Sequence, residues 1–256
     1  MYYRLQETLM YWLRRRLFSQ NFFSNRELIS KLIRDSFISS SDTVLDIGAG
    51  SGVITRELLK VTPHVIAIEK DSRFTNNPQD FLTFPLPAHP YKVFANIPFS
   101  ITADIIRKLL QSSHPPSDCY LIIQAEAARK FIINTQANTM SAMLYYPWWK
   151  IQITYKFSRS DFQPAPKVNS VLLHIQPRPK PMVPMWQKYD YLDFITYNFI
   201  HNSKAKFISP SQWLSRLKVD NLHRTYSGSY TKLLKQQDRL QKIHRTRVDK
   251  NWRMFR

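Results

Sequence analysis

The stretch Thr43-Val44-Leu45-Asp46-Ile47-Gly48-Ala49-Gly50-Ser51-Gly52-Val53 decides how the rest of the chain is read. Its first five residues read as a buried strand, and Val53 to Val61 reads as a helix. Between them stand Gly48, Gly50 and Gly52, three of the four glycines in 256 residues; average usage would give about 18. A chain this poor in glycine concentrates bare backbone where something must pass close to it. Strand, glycine bend and helix together make a nucleotide-type βα unit.

The same alternation extends outward. Ser24-Asn25-Arg26-Glu27 has the pattern of a capping box, opening a helix with apolar Leu28, Ile29, Leu32 and Ile33. His64 to Glu69 reads as a second strand and Lys92 to Asn96 as a third. A helix is expected over about Thr102 to Leu110, a strand over Cys119 to Gln124, and a helix over Ala125 to Ile133. Ile151 to Tyr155 and Val171 to Ile175 read as a closing antiparallel pair. Strands alternating with helices predict an α/β, Rossmann-like, doubly wound sheet. Pro177-Arg178-Pro179-Lys180-Pro181 breaks the pattern and marks a linker. Helices are expected beyond it, at about Tyr189 to Ile200, Ser211 to Leu217 and Tyr230 to Ile243. The expected organisation is a catalytic domain over residues 1–178, with a basic N-terminal arm, and a small basic helical domain over 179–256.

Charge points to a polyanion. Lys and Arg number 37 against 18 Asp and Glu, a formal charge of +19. Residues 201–256 alone hold 14 basic and 3 acidic side chains, 14 − 3 = +11. RNA is the leading partner, because neutralising phosphates releases counterions. A membrane surface fits less well, since the charge is spread along the chain and not set on one amphipathic segment. No apolar run is long enough to span a bilayer. Cys119 is the sole cysteine, which excludes an internal disulfide or a thiolate cluster, and the seven histidines show no metal-binding spacing. No metal, a reducing cytoplasmic setting and a monomer are expected. In the N-terminal MYYRLQETLMYWLRRRLF, basic residues follow the apolar ones, the reverse of a secretory signal.

Chemistry enters through three further positions. Alternating glycines differ from the dinucleotide fingerprint, whose glycines seat a pyrophosphate on a helix N-terminus. They suit a flat loop beside a ligand without phosphate, such as S-adenosylmethionine. Glu69 ends the second strand, 69 − 50 = 19 residues after Gly50, a spacing at which an acid binds a ribose diol. Asp80, followed by Phe81, could accept from the cofactor's adenine amino group. Asn96-Ile97-Pro98-Phe99 directly follows the third strand. Asn supplies a side-chain carbonyl, Pro exposes the carbonyl before it, and Phe offers a stacking face. That set describes a clamp for a planar amine, with catalysis by orientation and electrostatics.

These motifs, with Ser19-Gln20-Asn21-Phe22 before them and Phe162-Gln163-Pro164-Ala165-Pro166-Lys167-Val168-Asn169-Ser170 after, carry a resemblance. The chain resembles the rRNA adenine N6-dimethyltransferase superfamily over residues 19–176. That superfamily includes the Erm-type 23S rRNA methyltransferases of erythromycin resistance and the KsgA-type 16S enzymes. The resemblance implies a class I S-adenosylmethionine-dependent methyltransferase fold with a small C-terminal helical domain. It implies cofactor contacts from Asn21 and Phe23, Gly48 and Gly50 at the methionine moiety, Glu69 at the ribose, and Asp80 with Phe81 at the adenine. Asn96 and Phe99 correspond to the catalytic clamp, and Phe162 to a second aromatic on the target base. Ser209-Pro210-Ser211-Gln212-Trp213 and the basicity lean toward the Erm branch, whose methylation of 23S rRNA blocks macrolides, lincosamides and streptogramin B. A KsgA-like 16S enzyme, and an RNA-binding or transcription-accessory relative with weakened catalysis, are the alternatives. One departure stands out: Glu69 and Asp80 are 80 − 69 = 11 residues apart, too few for the helix and strand that the family fits there.

Overall fold

The computed structural model describes residues 22–23, 25–163, 165–219 and 226–240, and the chain divides into two compact units. In the first, β1 (Phe22–Phe23) leads into α1 (Arg26–Arg34). Asn25 caps α1, its side chain accepting from the Leu28 amide at 3.1 Å; Ser24, expected in that role, lies outside the described residues. The helix buries Ile29, Leu32 and Ile33, the stripe its 3.6-residue period predicts.

Next come β2 (Val44–Ile47), α2 (Val53–Leu58), β3 (Val65–Ile68), β4 (Lys92–Asn96), α3 (Thr102–Gln111), β5 (Asp118–Gln124) and α4 (Ala125–Arg129). They are followed by α5 (Met140–Tyr145), β6 (Trp149–Lys156), β7 (Phe162–Gln163) and β8 (Ser170–Pro177). Six strands form one sheet in the order β3-β2-β4-β5-β8-β6, while β1 and β7 pair separately. The β3/β2, β2/β4 and β4/β5 pairs are parallel, and β8 runs antiparallel to β5. Every residue of β2 is buried, as both faces of a central parallel strand must be. Parallel pairing brings the C-terminal ends of β2, β3 and β4 to one edge, where ligands bind in open α/β sheets.

The short Glu69–Asp80 spacing has its structural counterpart, and one helix differs from the sequence-based expectation. No strand or helix lies between Ile68 and Lys92 among the described residues, so β3 is the sheet's edge. The helix beginning at Ala125 stops at Arg129, not Ile133. The Lys130 carbonyl accepts the Thr139 hydroxyl, so the backbone turns away there.

Residues 130–149 group with those from 178 onward, so the second unit is interleaved in sequence with the first, unlike the single cut expected after 178. It holds α5, α6 (Lys188–His201), α7 (Pro210–Val219) and a helix, α8, over 229–240. Tyr191 donates to the Met143 carbonyl at 2.8 Å, and the Trp148 indole to the Val183 carbonyl at 2.9 Å. The proline-rich segment after β8 is a strap rather than a free linker: the Arg178 amide donates to the Trp148 carbonyl at 2.8 Å and the Met182 amide to Pro147 at 2.9 Å. Ser209 and Gln212 cap α7 reciprocally, with Pro210 at its first position and Trp213 wholly buried against Phe194. Both oxygens of Asp193 accept amides at the start of α8, from Gly228 and Tyr230, each at 2.8 Å.

In the first unit Phe94 is fully buried on β4 and stacks on Tyr120 of β5 at 5.7 Å. Phe94→Ala should lower the unfolding free energy by about 3–5 kcal/mol, read as a fall in the urea midpoint. A midpoint within error of wild type would show that this layer does not hold the sheet.

Candidate active site

The glycine bend is built by local backbone demands. Gly48, Gly50 and Gly52 all have positive φ, at 74°, 52° and 76°, a region that side chains disfavour. The Gly48 and Ala49 amides donate to the Ile68 carbonyl at 2.8 and 3.2 Å, so the end of β3 holds the bend. A Cβ on Gly48 would stand 3.2 Å from Pro98 Cδ and 3.7 Å from the Asn96 carbonyl oxygen. The bare backbone after β2 therefore lies directly against the Asn96-Ile97-Pro98-Phe99 corner after β4. The spacing of these two motifs in sequence gives no hint of that contact; the parallel register creates it.

Glu69 closes the bend from the other side. One carboxylate oxygen accepts the Gly50 amide and the other the Asp71 amide, both at 2.7 Å. Each oxygen keeps a second lone pair, so the carboxylate retains acceptor capacity for a diol.

Asp46, fully buried on β2, was not singled out from sequence as a site residue, although it opens the glycine motif. One oxygen accepts the Thr55 hydroxyl at 2.6 Å, and the other has no hydrogen-bond partner. Burial pushes its carboxyl up to about 7; the Thr55 hydrogen bonds oppose this and the Glu69 charge adds to it.

Asp80 lies in the connection between β3 and β4. With no strand to carry it, it starts a single turn over 80–84: one carboxylate oxygen accepts the Leu82 amide at 2.9 Å and the other pairs with Lys70 at 2.8 Å. Phe81 is buried, with the Lys108 ammonium 4.9 Å from its ring centre. Both lysines escaped the sequence reading, since a lysine on an amphipathic helix or in a polar turn carries no signal of its own.

At the corner after β4, Asn96 and Phe99 are each half-buried, and Ile97 is buried. Pro98 sits at φ −59°, ψ 123°, and its carbonyl accepts the Ile101 amide at 3.2 Å, which starts the 3₁₀ turn leading into α3. The structure does not bring Phe162 and Phe23 to the corner as open faces. Phe162 is 3% exposed and Phe23 6%, their ring centres 4.4 Å apart, and both pack on Phe157. The β1/β7 pairing and the Asn25–Asp161 hydrogen bond at 3.2 Å hold this aromatic cluster. Asn21 lies outside the described residues.

Bare backbone that a Cβ would fill, an orphaned buried carboxylate oxygen beside it, and an acid at the end of β3 fit S-adenosylmethionine, whose cationic sulfonium and ammonium groups favour nearby negative charge. The fold and this site define a class I S-adenosylmethionine-dependent methyltransferase. The profile of the family described as ribosomal RNA adenine dimethylase matches residues 13–214, and the chain belongs to that family. It is 33% identical over 197 residues to an rRNA adenine N-6-methyltransferase of Bacteroides fragilis, covering 71% of this chain and 73% of the relative. The 23S rRNA methyltransferase ErmE superposes with a TM-score of 0.69 at 21% identity, over 77% of this chain and 98% of that one. A dimethyladenosine transferase from Plasmodium falciparum superposes at 0.58 with 23% identity, over 85% and 89%. The protein is thus an rRNA adenine N6-methyltransferase that uses S-adenosylmethionine.

The Asp46 environment has a pH signature. Its folded-state value of about 7 exceeds the ordinary 3.8, so the folded form holds the proton more tightly. The resulting stabilisation is full below about pH 4, declines as pH rises to about 7, and is level beyond. Urea midpoints of wild type should therefore fall relative to those of Asp46→Asn across that window. Parallel profiles would show that Asp46 does not titrate there.

Proposed function

We propose that this chain methylates N6 of an adenine in 23S rRNA, so that ribosomes carrying the modification resist macrolides, lincosamides and streptogramin B. The observation that carries the methyl-transfer reading is the apposition of Gly48 with Pro98 and the Asn96 carbonyl. It sets the cofactor's bend and the amine clamp side by side. The 23S assignment draws support from the ErmE-like fold, the Ser209-Pro210-Ser211-Gln212-Trp213 cap and the charge of +19.

Bound S-adenosylmethionine supplies an electrophilic methyl carbon on a sulfonium. The chain's own residues do the rest. Gly48 and Gly50 lie along the methionine moiety, Glu69 takes the ribose diol, and Asp80 accepts from the adenine amino group. The target base is extruded from the RNA and stacks on Phe99. The Asn96 side-chain carbonyl and the Ile97 main-chain carbonyl accept the two amine hydrogens. Pro98 has no N–H of its own to compete there. Holding both hydrogens favours a pyramidal nitrogen and turns its lone pair, otherwise delocalised into the purine, along the line of attack. As nitrogen bonds to the methyl carbon, the carbon–sulfur bond would break and neutral S-adenosylhomocysteine would leave, so the positive charge passes to nitrogen, where the same two carbonyls stabilise it. The extra proton then passes to water, so no strong base is needed.

Phe23 and Phe162 pack on one another and on Phe157, and a stacking role for Phe162 requires its ring to leave Phe23. The second unit captures RNA in the cytoplasm through its basic surface, with the enzyme acting as a monomer.

Asn96→Ala should lower kcat about 100-fold while RNA affinity stays within a factor of a few; equal turnover in wild type and variant would refute the clamp. Converting the exposed Lys204, Lys206, Lys232 and Lys235 to Gln should weaken RNA binding and shallow its salt dependence by about 0.7–0.9 per lost contact. An unchanged slope would show that this surface is not the contact. Primer extension on rRNA from an expressing strain, with macrolide susceptibility, tests the target. A stop in 23S rRNA with resistance is expected. Methylation confined to 16S rRNA would select the KsgA-like reading, and no methylation with intact RNA binding the accessory one.

A further inference from the structure

We propose that Lys108 is a positioning residue for the cofactor's adenine pocket, its ammonium fixing the 80–84 turn, which no strand carries. The inference rests on the reading that Asp80 and Phe81 face the adenine.

A strand-borne acid is held by a ladder of main-chain hydrogen bonds. Asp80 has no such ladder. Its turn is a single helical one: the Asp80 carbonyl accepts the Phe84 amide at 2.9 Å and the Thr83 amide at 3.0 Å, and its side chain accepts the Leu82 amide. One turn of helix does not persist in water by itself, because nucleation costs more than one hydrogen bond returns. Its last carbonyls also need donors from elsewhere. At its front the turn is tied by the Gln79 amide to the Glu69 carbonyl at 2.7 Å, and by the Lys70–Asp80 pair. Lys70 is 70% exposed, so that pair contributes little.

Lys108 supplies what is missing. From α3 its ammonium donates to the Phe81 carbonyl at 2.5 Å and to the Phe84 carbonyl, capping the turn's far end, and it also lies over the Phe81 ring. Burial lowers its pKa, and the Asp80 charge works the other way, so this cation is held in a half-buried place for its contacts. The same α3 begins just after the Asn96-Ile97-Pro98-Phe99 corner. One helix thus references both the amine clamp and the adenine loop, and the distance between methyl and amine depends on both.

The test uses the full-length protein with Lys108→Met, which keeps the stem and removes the donors, and Lys108→Arg, which keeps donors. Binding of S-adenosylhomocysteine and of its 6-oxo (inosyl) counterpart is measured by calorimetry, beside KM and kcat. Lys108→Met should raise the cofactor KM and the S-adenosylhomocysteine Kd about tenfold or more. Its kcat at saturating cofactor should change far less, and its preference for the adenosyl over the inosyl ligand should shrink toward unity. Lys108→Arg should restore most of both. Loss of base preference is not a consequence of general destabilisation, and Lys108→Gln carries the same test if Lys108→Met does not fold. A variant that keeps wild-type affinity and preference overturns the role of Lys108. A wild type without any preference overturns the adenine-pocket reading itself.

Discussion

The site depends on one steric constraint: any side chain at position 48 would be strained and crowded. Its φ is +74°, and a Cβ would meet Pro98 Cδ at 3.2 Å, a ring atom with almost no freedom to retreat. The constraint follows from register. In the parallel β2/β4 pair Val44 lies level with Lys92 and Leu45 with Val93, so four residues further on Gly48 comes level with Asn96. A slip of one residue would move the corner by about 3.3 Å and turn its side chains to the other face of the sheet. The register is held in turn by the buried faces of β2 and β4, whose Val44, Leu45, Val93 and Phe94 are fully buried. If the corner is the proposed clamp, core packing and catalytic aim are the same interaction.

That dependence explains which features were legible in the sequence. The parallel strands, the glycine bend and the helix after the clamp each announce themselves through short-range pattern: apolar runs, clustered glycine, apolar spacing at three and four residues. Their order along the chain suffices for the doubly wound architecture. Features set by long-range partners were hidden. The helix from Ala125 ends early because the Lys130 carbonyl finds the Thr139 hydroxyl, and the prolines after Pro177 form a strap because main-chain carbonyls at 147 and 148 take their neighbours' amides. Residues 130–149 belong with the second unit through contacts such as Tyr191 to Met143, 48 positions apart. Phe162 was legible as an aromatic, but whether its ring stacks on a base or on Phe23 depends on packing that no local pattern encodes.

The edge at β3 shows how a parallel sheet tolerates a connection that carries no strand. Removing a helix and strand from the edge of a parallel sheet leaves the central pairs intact, since β3 still finds β2 on its inner side. The cost falls on any residue that such a strand would carry. In the proposed adenine pocket an acid must then be held by side chains instead of a ladder, and side-chain contacts are fewer and more readily lost. The turn at 80–84 follows that logic: its own carboxylate starts it, and a lysine from a helix already anchored in the core ends it.

Two length scales divide the work. Capturing a polyanion is a long-range matter, for which a charge of +19 suffices without fixed geometry. Methyl transfer to a weakly nucleophilic amine is short-range, and an ångström of misplacement costs about 100-fold. The chain keeps the two apart in composition. More than half of its net charge falls in residues 201–256, whereas the corner at 96–99 contains no charged residue and is braced by main-chain carbonyls and rings. A cation placed at the corner would strengthen attraction for phosphate, yet it would also oppose the positive charge that develops on the attacked nitrogen. An anion would favour that charge but repel the RNA that brings the base. Neutral carbonyls avoid both penalties, which is a physical reason for the proposed clamp to be made of an amide side chain and a backbone oxygen.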